Sequence, residues 1–300
     1  MSFFENHLGE FAALLTAFFW TVTALSFESA SHGIGSIAVN IIRLIIGLVF
    51  LSVFSLIRRG LVLPFDASYE NWLWLSLSGL VGFVFGDLFL FKSFTVIGSR
   101  FSMLIMTLVP PITAFLSFIT IGERLTLFHY LGMIMTISGI ALAIFSRKGK
   151  GEKLSLKFAP KGILYAIGGA VGQALGLVLS KLGLKDYDPF AATQIRIIAG
   201  IIGFVILVTI LRRWQVVVKA TRDKEGMLFT GVGAFFGPFL GVSFSLIAIK
   251  YTEAGIASTI MALVPVFIIL PAVVLYKQKV TLPELLGAIV SVGGVALFFL

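Results

Sequence analysis

No cysteine occurs in the 300 residues, which excludes disulfides, thiolate metal sites and thiol redox chemistry and leaves the compartment unreadable from thiols. Histidine is nearly as scarce, with three in the chain, and charged residues make up only 12%. No Gly-x-x-x-x-Gly-Lys-Ser/Thr loop is present to cradle a nucleotide, which argues against direct ATP drive. Neither a His-Glu-x-x-His nor a Gly-x-Ser-x-Gly pattern occurs, so the common metal-hydrolase and serine-hydrolase signatures are missing. Glu5 and Glu10, with no Lys or Arg, precede the first apolar run, so the positive start of a cleavable signal peptide is lacking and the first helix is expected to be retained.

What the chain has in excess is apolar surface. Hydrophobic residues are 58% of the sequence, more than a single soluble core of this length can bury. A bilayer is the solvent that suits it. The 31 glycines fit closely packed membrane helices. A net charge of +9 would suggest nucleic acid in a soluble protein, but here the basic residues sit in short segments between apolar runs, so lipid headgroups are the expected partner and nucleic acid is not.

About 20 apolar residues are needed to cross the hydrocarbon. Runs of that kind cover 9–27, 36–57, 72–94, 99–121 and 125–145, then 162–184, 190–211, 227–249, 254–276 and 282–300. The expected organisation is a first five-helix repeat at 1–146, a basic linker at 147–161 and a second repeat at 162–300. The two halves align. Residues 93–145 lie on 248–300 without a gap, which matches Ile105, Met106 and Pro110 with Ile260, Met261 and Pro265, and Gly132 and Gly139 with Gly287 and Gly294. Ile42-Arg43 likewise falls on Ile195-Arg196, and Gly47 on Gly200. An odd number of spans per unit makes the second copy enter the membrane upside down. The expected fold is an all-α membrane protein of ten transmembrane helices in two inverted five-helix repeats, a recurring transporter design with its site near the midplane.

In these residues the chain resembles the EamA-type family of the drug/metabolite transporter superfamily. The resemblance rests on an apolar helix with a central proline, then Gly122-Glu123-Arg124, then a Gly-rich closing helix around Gly139. The second copy keeps Pro265, Thr281 and Gly294 but has Lys277-Gln278-Lys279 where the first has Gly-Glu-Arg. The resemblance covers essentially the whole chain. It implies a ten-helix bundle with a central cavity lined by helices 1–4 and 6–9, helices 5 and 10 at the periphery, and export or exchange of metabolites such as amino acids, or of drugs, without ATP, in the inner membrane. No cofactor or metal is implied. A lipid flippase and an intramembrane enzyme are the alternatives, although an aspartyl protease would want two facing Asp and Asp87 alone lies deep in a span.

Ionisable groups deep in a span are the first site candidates. Arg43 lies about 10 Å into helix 2 and Arg196 at a similar depth in helix 7, by the helical rise, with inversion placing them toward opposite faces. Asp87 reaches the depth of Arg43 from the antiparallel helix 3, so an Arg43–Asp87 pair is expected, either as a clamp between helices or as a gate. The position matching Asp87 in the second copy is Val242, which leaves Arg196 without the equivalent partner. It either receives an anionic substrate group or bonds neighbouring groups. Asn40 and Thr193 stand three residues before the two arginines, and Gln194 adjoins on another face; each lines the site or bonds a neighbouring helix. Trp20 and Gln173 are matched polar candidates of helices 1 and 6. Pro110 and Pro265 are expected to kink their helices in mid-span, with Ser102, Met103 and Met106 before the first and Ser258, Thr259 and Met261 before the second as lining candidates. Proton coupling would need a carboxylate in the pathway, and Asp87 is the only deep one. Oligomeric state is not legible.

Orientation is contested. Thirteen Lys and Arg lie in loops 5–6, 7–8 and 9–10, against four in Arg58, Arg59, Arg124 and Lys185 on the other side. The positive-inside rule then favours external termini, whereas the family resemblance implies cytoplasmic ones.

Overall fold

The computed structural model describes residues 3–146, 160–274 and 280–300, and every regular element among them is helical. Nine helices are long and apolar enough to cross a membrane among the described residues, and Val109–Ile121 is a shorter apolar one, so ten is an approximate count. The first half runs α1 (Leu8–Ile34), α2 (Ser36–Arg59), α3 (Tyr69–Gly79), a π-helical stretch (Leu80–Gly86), α4 (Asp87–Met106), α5 (Val109–Ile121) and α6 (Leu127–Ser146). The second runs α7 (Pro160–Leu184), α8 (Pro189–Ile210), a short surface helix (Trp214–Ala220), α9 (Lys224–Ala234), a π-helical stretch (Phe235–Gly241), α10 (Val242–Tyr251), α11 (Ala254–Met261), α12 (Val264–Phe267), α13 (Ile269–Val274) and α14 (Leu282–Ala296).

Local signals explain the ends. Asp188 caps α8 by accepting from the N–H groups of Phe190 at 3.1 Å and Ala191 at 3.0 Å, with Pro189 in the first turn where its missing N–H loses nothing. Ser68 with Asn71, and Thr281 with Glu284, close capping boxes on α3 and α14. The Asn71 amide also donates to the Gly183 carbonyl at 2.7 Å, which ties the start of α3 to the end of α7.

The packing obeys the inverted repeat. α1 runs antiparallel to α9 and α10 with Phe27 on Gly233, Thr23 on Gly237 and Trp20 on Gly241. The matching arrangement in the other half has α7 antiparallel to α3 and α4, with Ser180 bonded to Ser78, Gly176 on Gly82 and Gln173 on Gly86. Gly47 rests on Pro238 and Ile197, and its counterpart Gly200 rests on Phe83 and Leu44. A Cβ at Gly172 would stand 2.8 Å from the Gly86 Cα, so this crossing needs two glycines. α6 and α14 pair chiefly with each other, antiparallel, through Gly139 against Gly287 and Gly132 against Gly294. His7 and Phe11 stack on Phe299, which brings both ends of the described chain to one end of the bundle.

Two expectations are corrected. The boundary expected between spans 3 and 4 at 94–99 is not a helix break: α4 is assigned continuously from Asp87 to Met106. The chain still makes a separate return crossing, since Ile97 packs on Gly162 at one end of α7 and Glu123 pairs with Lys181 at the other. Pro110 and Pro265 do not kink continuous helices either. Each sits in the first turn of a new segment, after breaks at Thr107-Leu108 and Ala262-Leu263, because a proline at a helix start forfeits no hydrogen bond whereas one in mid-helix does. The first apolar span ends at Phe27, as expected, and its helix continues to Ile34. Most of the basic linker, and the Lys277-Gln278-Lys279 turn, lie outside the described residues.

Candidate functional site

Both π-helical stretches fall at equivalent places in the repeat, and each is followed directly by the residue pair that breaks the symmetry, Asp87 in one half and Val242 in the other. A π-helical turn widens the backbone and is frequent at functional sites. Here it presents Gly82, Phe83 and Gly86 to α7 and α8.

Asp87 is 9% exposed and is the centre of a buried cluster. Its Oδ2 accepts from the Arg43 guanidinium in an ion pair, and its Oδ1 accepts from the Gln173 amide at 2.9 Å. Gln173 also donates to the Gly82 carbonyl at 3.3 Å. Arg43 lies over the Phe27 ring at 5.4 Å, and Asn40 is buried one turn before it on α2. Arg196 reaches in from α8. It is 6% exposed, lies over Phe83 at 5.0 Å, and has its Nη2 beside Gly82, whose carbonyl Gln173 bonds. The two arginines, expected toward opposite faces, thus reach one π-helical segment, Arg43 through Asp87 just after it and Arg196 beside Gly82 within it. The ion pairs among the described residues do not include Arg196, and its Nε is buried with no hydrogen-bond partner. Val242 is buried at the place where a second carboxylate would have stood.

The remaining candidates divide. Trp20 is half-buried over Gly241, at the position matching Gln173 over Gly86. Thr193 donates to the Pro189 carbonyl at 2.8 Å and accepts from Ser243 at 3.3 Å, linking α8 to α10. Gln194 points elsewhere, donating to the Val62 carbonyl at 2.8 Å and to Ser52 at 3.3 Å, and so holds α8 to the α2 end and the following loop. Ser258 and Thr259 spend their hydroxyls on the Gly255 carbonyl, at 3.0 and 2.7 Å. Met261 is buried and Met106 half-buried, each the last residue before its helix break, with Pro110 buried and Pro265 half-buried just beyond.

A second polar cluster escaped the sequence reading. Lys181 pairs with Glu123 and donates to the Thr252 carbonyl at 2.6 Å, while Glu123 accepts from the Ala254 N–H at 2.9 Å. The Thr252 hydroxyl donates to Glu10 at 2.9 Å. This network ties α1, α5, α7 and the α10–α11 junction at the end of the bundle that holds both described termini. Glu123 was visible as part of the Gly-Glu-Arg turn and Lys181 as a span-end cation, but their meeting depends on 57 intervening residues of chain path that no local pattern encodes.

The profile of the EamA-like transporter family matches residues 7–145 and again 160–300, once in each half. The human Solute carrier family 35 member G1 is 22% identical over 291 residues, 95% of this chain and 77% of that protein. The uncharacterized transporter YxxF of Bacillus subtilis (strain 168) is 28% identical over 140 residues, 47% of this chain and 43% of that one. An uncharacterized Haemophilus influenzae protein is 28% identical over 117 residues, 39% of this chain and 86% of its own. The crystal structure of another protein superposes with a TM-score of 0.76 at 16% identity, over 98% of this chain and 96% of that one, which is a likeness of fold. With nine membrane-length helices and one shorter apolar helix among the described residues, and the family profile matched in each half, this chain belongs to the EamA-like transporter family and is a multi-pass membrane transporter.

Proposed function

We propose that the protein is a secondary transporter of small metabolites such as amino acids, an exporter or exchanger of the inner membrane, working by alternating access around the midplane. The observation that carries this reading is the buried Arg43–Asp87–Gln173 cluster with Arg196 beside it, drawn from α2, α4, α7 and α8 and so from both halves. Intramembrane ions at the seam of inverted repeats are the usual address of a solute site. In this reading the halves 1–146 and 162–300 are the moving units, with Trp20, Asn40, Met106, Pro110, Thr193, Gln194, Ser258, Thr259, Met261 and Pro265 lining or supporting the path. The paired helix breaks before Pro110 and Pro265 support movement there, since a broken helix bends at low cost. The Glu123–Lys181 tie is then the contact that holds the end bearing the termini closed.

Asp87 is the group assigned to proton coupling. Arg43 from α2, Arg196 from α8 and the neutral Gln173 from α7 face it, so protonation would weaken one ion pair and loosen the seam. Flux of a panel of amino acids and related metabolites, measured in proteoliposomes with and without a pH gradient, is the test. Saturable flux of one class supports the reading. Lipid scrambling with no metabolite flux overturns it in favour of a flippase.

A further inference from the structure

The charges of the central cluster do not balance. Its deep ionisable groups among the described residues are Arg43, Asp87 and Arg196, two cations and one anion. Asp87 has both oxygens engaged, Oδ2 by Arg43 and Oδ1 by Gln173. Arg196 is left with the face of Phe83, a weak partner for a guanidinium, and with a buried Nε that bonds nothing. A cation removed from water and lacking an anion is expensive, and the protein has put Val242 where the repeat would supply one.

We infer that Arg196 is the seat of a single carboxylate on the transported solute, so that the substrate class is small organic monoanions and zwitterions that present one carboxylate. This deepens the transport reading above and rests on it. Four features support the assignment. Beside the guanidinium lies Gly82, where an added Cβ would be in van der Waals contact with Arg196 Nη2 at 3.6 Å and the Gly176 Cα at 3.7 Å, so two glycines keep side chains away from the terminal nitrogen. A planar guanidinium whose Nε has no partner, with Nη2 on the same edge, carries the parallel donors that a carboxylate accepts in bidentate fashion. One unpaired guanidinium calls for one carboxylate, the group that a monoanion or a zwitterion presents to it, whereas a dianionic phosphate carries twice that charge. The Phe83 ring backs the guanidinium and keeps its plane in place, as a seat for one planar group requires. Asp87, already paired, would then set how near an ammonium of the same solute can lie.

The test uses full-length protein purified in detergent and saturation-transfer NMR of acetate, acetamide and inorganic phosphate. Acetate is expected to show saturable contact with the protein, acetamide of the same shape to show none, and phosphate to bind more weakly than acetate. In Arg196→Gln the acetate affinity is expected to fall about tenfold or more, as loss of a charge-assisted hydrogen bond does. Arg196→Lys, which keeps the charge and loses the fork, should fall between. Size-exclusion profiles establish that the variants are folded, and Lys219→Gln, which removes an exposed cation on the short surface helix, serves as the second variant, in which acetate binding should persist. No saturable acetate signal in the wild type, or equal signals in wild type and Arg196→Gln, overturns the proposal. Acetate binding that is lost in Arg196→Gln, in a protein that moves no solute in proteoliposomes, would retain the seat and reject the transport reading instead.

Discussion

At the scale of single residues, the centre of the protein is a carboxylate held by two donors. Truncating Asp87 to Ala leaves Arg43 buried beside Arg196 with no anion, and removal of one partner of a buried pair costs about 3–5 kcal/mol. Asp87→Ala is therefore expected to lower thermal stability in detergent strongly, and Arg43→Met combined with Asp87→Ala to recover part of the loss; a thermal-unfolding series of the three proteins checks both. Asp87→Asn keeps the shape and its acceptor oxygen but cannot gain or lose a proton. Any pH-gradient-driven component of flux should vanish in it, and an unchanged pH dependence in proteoliposomes would rule Asp87 out as the coupling group.

At the scale of elements, the crossing of α7 over the π-helical stretch decides where Gln173 points. Gly172→Ala would place a methyl group 2.8 Å from the Gly86 Cα, which is backbone and cannot swing aside, so the crossing must open. Gln173 would then be drawn from Asp87. Reduced substrate affinity with modest loss of stability is expected, measured by flux KM and unfolding temperature on the same preparation. Gly139→Ala is the contrasting case. It crowds the Gly287 carbonyl at 2.5 Å between α6 and α14, far from the cluster, and should cost about 1–3 kcal/mol of stability while leaving transport per folded molecule unchanged.

At the scale of the whole molecule, closure of one end against the other is the expectation to examine. The Glu123–Lys181 contact joins α5 of the first half to α7 of the second, beside the Thr252–Glu10 bond that joins the second half to the first. Glu123→Gln removes the ion pair but keeps an oxygen for the Ala254 N–H. It should shift the population toward opening at that end, read as faster labelling of a single cysteine introduced at the buried Ala254 beside it, and unchanged labelling would assign the pair a purely structural role. The natural chain has no cysteine, so such labels carry no background. Which face that end meets is settled by a reporter on the C-terminus, for which the family reading expects cytoplasmic activity and the loop charges expect the opposite.

The sequence by itself determined the bulk architecture, because hydrophobic run length and a gapless internal alignment are local or periodic properties of the chain. Helical crossings, duplication, inversion and the Arg43–Asp87 pairing were all legible in that way, the last because helical rise alone sets two residues at one depth. The tertiary structure decided what depends on azimuth and on crossings distant in sequence. Gln173 joins Asp87, and Gln194, one residue from Thr193 and two from Arg196, turns away to Val62. Met106 and Met261 end helices that apolar runs alone made continuous. Glu123 meets Lys181 only because the bundle brings the ends of α5 and α7 together. Hydrophobicity tells a residue how deep it lies and says nothing of which neighbour it faces, and it is the neighbour that gives Arg196 its surplus charge.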